Sequence, residues 1–186
     1  MSKIIAIMLL LCCGMMLFGC ADDNGRRKAE QQKTIVVTDS VGRKVELPYP
    51  LERVAVCNVY NAELITAVGA IDKIVGVDNY IFKDQSGFKN RFNEAQVFGI
   101  SQNAMNYEKL AELAPQAVII TGEGTWRDAQ EMLDRFGIKV IVINSYYTDQ
   151  FADNCRLIGR IFGREEQAEE LVNYFNDKLA YIQKQL

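Results

Sequence analysis

Histidine is absent from the 186-residue sequence. This residue is the commonest metal ligand among protein side chains and the commonest general base near neutral pH. Its absence excludes serine–histidine and cysteine–histidine catalytic pairs, and it excludes zinc sites that use an imidazole. The sequence therefore favours a function that does not depend on these chemistries.

Basic clusters and nucleotide-binding loops are also lacking. The net charge is −3, and the short basic run Arg26–Lys28 falls in a polar segment near the N-terminus. This composition argues against a nucleic-acid partner. Gly122–Gly124 has a glycine at each end, but it lacks the Gly-Lys-Ser/Thr ending of a nucleotide loop and the spaced glycines of a dinucleotide site. We expect a flexible loop that lets a ligand approach the backbone.

The N-terminus carries an apolar run, Ile4–Phe18, which follows Lys3 and precedes Gly19 and Cys20. A positive start, an apolar run and a small residue before the cut are the features of a secretory signal peptide. A cysteine directly after the cut, with leucine three places before it, is typical of a bacterial lipoprotein. We therefore predict that residues 1–19 are a lipoprotein signal peptide and that Cys20 is lipidated. The lipid would hold the protein on a membrane surface outside the cytoplasm.

Two other interpretations of this run are a transmembrane anchor and a buried core helix. The run is shorter than the roughly 20 residues that a membrane-spanning helix needs. A Met-rich, uncharged run at the extreme N-terminus fits a core helix poorly. The polar residues 20–33 that follow predict a flexible tether between the membrane and a folded lobe.

The remainder of the chain has the pattern of an α/β fold. Two β-type segments on either side of Asp39–Gly42 predict a β-hairpin over Thr34–Leu47. Four apolar segments then alternate with amphipathic helical patterns: Arg53–Val56, Ile74–Val77, Ala117–Ile120 and Val140–Ile143. The polar residues placed to cap the helices are Asn58, Asn106, Thr125 and Thr148. This alternation predicts a parallel sheet of about four strands with helices on both faces.

Two helices are predicted after the sheet, separated by Gly163. The second keeps apolar residues at spacings of three and four from Ala168 to Leu186, without Gly or Pro. Such a long apolar stripe is unusual for a helix that covers the end of a domain. We therefore expect it to pack against a later part of the protein. On this interpretation the chain is a fragment or a one-lobed relative of a longer protein.

Cys57 and Cys155 are the two cysteines that remain after Cys20 and the predicted signal peptide are set aside. Two cysteines in an exported protein can form a disulfide. Cys57, however, ends a predicted strand and Cys155 lies in the middle of a predicted helix. We expect both to be small buried hydrophobic residues.

An ordered set of motifs over roughly residues 34–186 resembles the substrate-binding proteins of metal-chelate ABC importers. The motifs are Arg53–Val56, Asn61–Ile65, Ala67–Ala70, Lys73–Val77, Asn106–Leu110, Leu113–Ile119, Gly137–Val140 and Leu157–Glu165. Gln116 stands where the family usually has aspartate. The resemblance implies two α/β lobes joined by a rigid helix, with the ligand in the cleft between them. Residues 34–163 would be the first lobe and residues 164–186 the start of the joining helix, with the second lobe apparently absent.

Family members of this kind carry ferric siderophores, haem or vitamin B12, which are delivered to an ABC permease. In open α/β sheets the ligand lies at the carboxyl ends of the strands. The residues predicted there as ligand contacts are Asn58, Val59, Tyr60, Tyr80, Phe82, Gly122, Trp126, Tyr146 and Tyr147. Exposed aromatic residues at a pocket mouth suit large, partly apolar chelates. The two last tyrosines are candidates either for stacking or for ligating haem iron, and the sequence does not choose between them.

Glu108 is predicted to dock with basic residues of the permease, as a glutamate at this position does in the family. An exposed carboxylate near a helix start is stabilised by the helix dipole and attracts a basic partner. The simpler interpretation is an ordinary first-turn glutamate.

The resemblance thus implies a lipid-anchored binding component with no catalytic residue, no cofactor and no metal site of its own. Its ligand would be an iron chelate, haem or a corrinoid. An isolated lobe would bind weakly, because half of the cleft walls are missing. The alternatives are an exported Rossmann-like enzyme and a surface lipoprotein that binds a partner without a small-molecule ligand.

Overall fold

The computed structural model describes residues 33–84 and 86–185. The predicted signal peptide, Cys20 and all of the predicted tether except Lys33 lie outside the described residues, as does Leu186 at the end of the last predicted helix. Within the described ranges, no helix is both long enough and apolar enough to cross a membrane.

The first two strands form the predicted β-hairpin. β1 spans Thr34–Thr38 and β2 spans Lys44–Pro48, and they pair antiparallel. The turn between them is closed by the Asp39 carboxylate, which accepts hydrogen bonds from the backbone amides of Val41 at 3.2 Å and Arg43 at 2.9 Å. Short polar side chains of this kind stabilise turns by bonding to the backbone a few residues on.

The remaining strands form one parallel sheet, as predicted. They are β3 (Val54–Val56), β4 (Ile74–Val77), β5 (Ala117–Ile120) and β6 (Lys139–Val142). Their order across the sheet is β4-β3-β5-β6, and every neighbouring pair is parallel. All four carboxyl ends therefore meet at one edge of the sheet.

Six helices alternate with these strands or follow them. They are α1 (Val59–Ala67), α2 (Asn79–Lys83), α3 (Tyr107–Glu112), α4 (Trp126–Asp134), α5 (Phe151–Phe162) and α6 (Glu165–Gln183). Short 3₁₀ turns lie at Ile71–Lys73, Glu94–Gln96 and Thr148–Gln150.

Two of the four predicted helix caps are confirmed. The Asn58 and Asn106 side chains accept hydrogen bonds from the first-turn amides of α1 and α3. Thr125 precedes α4, but its hydroxyl lies 3.2 Å from Asn103 Oδ1 instead of binding the helix amides. The prediction that Thr148 caps α5 is wrong, because Thr148 begins a 3₁₀ turn and α5 starts only at Phe151.

Helices cover both faces of the sheet, and the strand residues alternate between them. Val54 and Val56 of β3 pack in a core with α1, α5, the hairpin and the start of α6, whereas Ala55 packs in a second core with α3 and α4. β5 and β6 alternate in the same way, as a period of two requires. In β4, Ile74 and Val77 both lie in the first core, and the pairing of β4 with β3 is irregular. The predicted α/β architecture is therefore confirmed.

The two cysteines lie in different cores. Cys57 belongs to the core under α3 and α4, and Cys155 to the core under α5 and α6. Both are buried and free. Burial raises the pKa of the Cys57 thiol well above its ordinary value and that of Cys155 to about 11. Both thiols therefore stay neutral at physiological pH, as expected for buried hydrophobic residues.

The long C-terminal helix α6 is buried over its first part only. Ala168 and Val172 pack in the core, and Phe175 stacks on Phe151 with ring centroids 4.3 Å apart. Further along, Leu179 and Ile182 of the predicted stripe are exposed, as is the neighbouring Tyr181.

Candidate functional site

A cleft of about 590 Å³ opens at the carboxyl ends of β3, β4 and β5. Its lining combines amides, hydroxyls, two tyrosines and three carboxylates: Asn58, Val59, Tyr60, Glu63, Asp78, Tyr80, Ser101, Gln102, Asn103, Thr121 and Glu123. This is the edge at which open α/β sheets bind ligands. The volume is within the range of small-molecule sites.

The first wall of the cleft is the turn from β3 into α1. Asn58 has a positive φ of 76°, which is uncommon for a residue other than glycine. This turn lets the Asn58 side chain accept from the Tyr60 amide at 3.0 Å, while its own backbone amide points to Asp78. The Tyr60 side chain is left 55% exposed at the rim.

The second wall is the turn from β4 into α2, and Asp78 is its central residue. Its carboxylate is almost fully buried, and it accepts hydrogen bonds from the amides of Asn58 at 3.0 Å and Ile81 at 2.9 Å. Burial raises the pKa of Asp78, and hydrogen bonds from the backbone amides of Ile81, Asn58 and Tyr80 oppose this effect. One carboxylate thus fixes two loops of the cleft relative to each other.

The third wall comes from an irregular segment between α2 and α3. The Gln102 side-chain oxygen accepts from the amide and the hydroxyl of Thr121, at 2.9 and 2.8 Å. Its side-chain nitrogen donates to the backbone oxygen of Glu123. Gln102 therefore fastens this segment to the loop that follows β5.

Four of the nine predicted contacts line the cleft: Asn58, Val59, Tyr60 and Tyr80. Phe82 instead packs against the core beside α1. The Gly122 amide donates to Asn144 Oδ1 at 2.7 Å, next to the lining residues Thr121 and Glu123.

Trp126, another predicted contact, lies between two cationic side chains. The guanidinium carbons of Arg43 and Arg127 lie 4.2 and 4.1 Å from the ring centroid. Arg43 also pairs with the buried Asp39 carboxylate at 2.7 Å. Trp126 thus packs where the hairpin meets α4 and is not part of the cleft lining.

Tyr146 and Tyr147, which follow β6, form a tilted pair with ring centroids 4.4 Å apart. The Tyr146 hydroxyl donates to Glu123 Oε1 at 3.0 Å. Burial and this carboxylate raise the pKa of Tyr146. Glu123 lines the cleft, so Tyr146 is connected to its rim through one hydrogen bond, although neither tyrosine is among the lining residues.

Glu108 is exposed in the first turn of α3. Asn106 caps this helix and donates its backbone amide to Phe98, whose own amide bonds to Val77 at the end of β4. Glu108 therefore lies at the same edge of the sheet as the cleft.

Sequence reasoning missed seven of the eleven lining residues: Glu63, Asp78, Ser101, Gln102, Asn103, Thr121 and Glu123. Asp78 is the first residue after a parallel strand, which is a usable signal for a site at the strand ends. Gln102 lies in a segment without periodic pattern, and its position depends on contacts that are distant in sequence. Among the described residues, no group of three acidic or cysteine side chains is arranged to hold a metal ion.

The family model described as "Periplasmic binding protein" matches residues 54–186. The chain belongs to the periplasmic binding protein family. This confirms the family resemblance found in the sequence. The matched range includes every lining residue of the cleft.

Solved periplasmic binding proteins share the fold. A periplasmic solute-binding protein from Veillonella parvula has a TM-score of 0.68 and 27% identity, covering 82% of this chain and 48% of that protein. Staphylococcus aureus SirA, solved with staphyloferrin B, has a TM-score of 0.66 and 21% identity, covering 81% and 50%. The petrobactin-binding protein YclQ of Bacillus subtilis has a TM-score of 0.67 and 18% identity, covering 82% and 53%.

This family member spans about half the length of the solved structures that it matches. No curated protein matches it significantly.

Replacing Asp78 by alanine should destabilise the fold, because two backbone amides lose a buried acceptor. We expect the free energy of unfolding to fall by about 1–3 kcal/mol. The pKa of Asp78 is raised in the folded protein, so its ionisation opposes folding. The contribution of this side chain is therefore largest below pH 3.8, the ordinary value, and decreases as pH rises through the raised pKa. Urea unfolding at several pH values measures both effects.

The matched control is Asp177→Ala, an exposed aspartate on α6. It should change the free energy of unfolding by less than about 0.5 kcal/mol. Equal stability of Asp78→Ala and the wild type would show that the carboxylate does not support the two loops.

Proposed function

We propose that this chain is the lipid-anchored binding component of an ABC importer, which takes up an iron–siderophore, haem or a corrinoid. The observation that carries the proposal is the cleft at the strand ends in a chain of the periplasmic binding protein family. Among the solved relatives, SirA is in complex with staphyloferrin B and YclQ is a petrobactin-binding protein. The cargo would bind reversibly and be passed to a membrane permease.

The chemistry of the cleft supports this proposal. Tyr60 and Tyr80 expose 55% and 62% of their surface at the rim, where their rings offer flat apolar surface with a polar end. The lining also contains the side-chain amides of Asn58, Gln102 and Asn103, which make the wall polar. A large chelate that is part apolar and part polar matches this combination.

The domain assignment belongs to the same proposal. Residues 34–163 would form the first lobe, and α6 would begin the helix that joins it to a second lobe. The exposed apolar side chains in the second part of α6 support this role, because such a stripe packs against protein more favourably than against water.

The two rim tyrosines are expected to contribute directly to ligand affinity. Tyr60→Ala and Tyr80→Ala should each weaken binding about 5- to 50-fold, the effect of removing an aromatic contact from an interface. Isothermal titration calorimetry with a ferric hydroxamate siderophore, haem and cobalamin measures this. Trp126 is a poor fluorescence reporter, because it lies outside the cleft lining.

Tyr174→Ala is the matched control, since this tyrosine is also 62% exposed but lies on α6. It should leave affinity unchanged. Failure of the wild-type protein to bind any of the three ligand classes would remove the basis for the import proposal.

Lipid anchoring is expected to depend on the Cys20 thiol, the nucleophile that would receive the lipid. In cells supplied with labelled palmitate, Cys20→Ser should lose the label and leave the membrane fraction. Cys12→Ser, within the predicted signal peptide, should keep the label and stay in the membrane fraction. Label retained by Cys20→Ser would contradict the lipoprotein assignment.

Glu108 is expected to act in docking and not in ligand binding. Glu108→Arg reverses the charge of an exposed first-turn residue, so it should abolish uptake of the chelate by cells while ligand affinity stays within about twofold of the wild type.

Glu112→Arg provides the control on the same helix, where the Glu112 side chain is 70% exposed. It should leave uptake nearly intact. Normal uptake with Glu108→Arg would show that this carboxylate is an ordinary first-turn residue.

A further inference from the structure

The charged side chains that line the cleft all have the same sign. They are Glu63, Asp78 and Glu123, and the lining contains neither lysine nor arginine. The remaining lining residues are neutral. In this part of the chain, the wall that a ligand meets is therefore acidic.

Two of the three carboxylates face outward. Asp78 is buried and occupied by backbone amides. Glu63 is exposed on α1, and Glu123 is exposed on the loop after β5, where it accepts the Tyr146 hydroxyl. The negative potential at the cleft mouth thus comes mainly from Glu63 and Glu123, on two separate walls.

Three cations on neighbouring elements are engaged away from the cleft lining. Arg43 is paired with Asp39, and the guanidinium groups of Arg43 and Arg127 both pack against the Trp126 ring. Lys109 on α3 lies 3.5 Å from Glu112. None of the three cations is a lining residue.

A concave site with low-dielectric walls concentrates the field of its charges, so the sign of the lining selects the sign of the ligand. We propose that this cleft takes a chelate that is neutral or positively charged on the face toward this lobe, and that Glu63 and Glu123 determine this preference. The inference rests on the proposed function, and it disfavours chelates that present several negative charges to this lobe.

A matched ligand series isolates charge from shape. The gallium(III) complex of desferrioxamine B carries one positive charge on its pendant amine, the N-acetyl derivative is neutral, and the N-succinyl derivative is negative. Gallium(III) is diamagnetic, so titrations followed by ¹H–¹⁵N correlation spectra of the full chain in detergent micelles detect even weak binding. They also locate it through the amide signals of Asn58, Val59 and Tyr80.

We expect affinity to fall in the order positive, neutral, negative, with roughly a tenfold difference between the ends of the series. Glu63→Gln and Glu123→Gln should each weaken binding of the positive complex about 2- to 5-fold and strengthen binding of the negative one. Glutamine preserves the acceptor for Tyr146. Glu131 is exposed on α4 and lies outside the cleft lining. Glu131→Gln is therefore the control, and it should leave the affinities for the positive and the negative complex unchanged.

Tighter binding of the negative complex would overturn the charge preference and leave the import proposal standing. Equal affinities across the series would also overturn the charge preference alone. The same holds if Glu63→Gln and Glu123→Gln change the affinities no more than Glu131→Gln does. If no gallium complex, haem or cobalamin shifts the cleft amides, the charge preference and the proposed function both fail.

Discussion

The cleft depends on one buried carboxylate. Asp78 ties the amide of Asn58, after β3, to that of Ile81, in α2, and so sets the distance between two of the three walls. No side-chain cation is required for this, because backbone amides at helix starts already carry partial positive charge. The arrangement costs desolvation of a charge, which is the reason that the pKa of Asp78 is raised. In return, the starts of α1 and α2 are held in fixed positions relative to each other at this edge of the sheet.

The third wall is fastened by the same kind of interaction. Gln102 binds Thr121 and the Glu123 backbone, so a segment without regular structure is held by side-chain-to-backbone bonds to the end of β5. Because these bonds form within the protein, the loops are ordered before a ligand arrives. Preorganisation of this kind reduces the entropy that binding would otherwise lose. The rim tyrosines and exposed carboxylates are left available for contact.

Sequence periodicity predicted the sheet well because each strand buries both faces. Val54 to Val56 face two different cores, and such a segment must be apolar throughout. The cleft was only half predictable. Asn58 could be predicted because its capping role depends only on residues next to it in the sequence. Gln102 and the position of Trp126 under Arg43 depend on residues that are distant in sequence. Thr148 failed as a cap because a 3₁₀ turn precedes α5, and a polar residue alone does not distinguish the two.

Exposed large side chains occur on two surfaces of the described residues, the cleft rim and the second part of α6, and these surfaces differ in chemistry. The cleft rim mixes tyrosine rings with amides and carboxylates, so a ligand there can replace water at every polar atom that it covers. The second part of α6 presents Leu179, Tyr181 and Ile182 on a helix whose backbone bonds are already made. Such a surface offers few polar groups to orient a small molecule, and it suits protein packing. Under the proposed function, ligand selectivity would therefore come from the cleft, where the sign of the charged lining residues favours a neutral or cationic face.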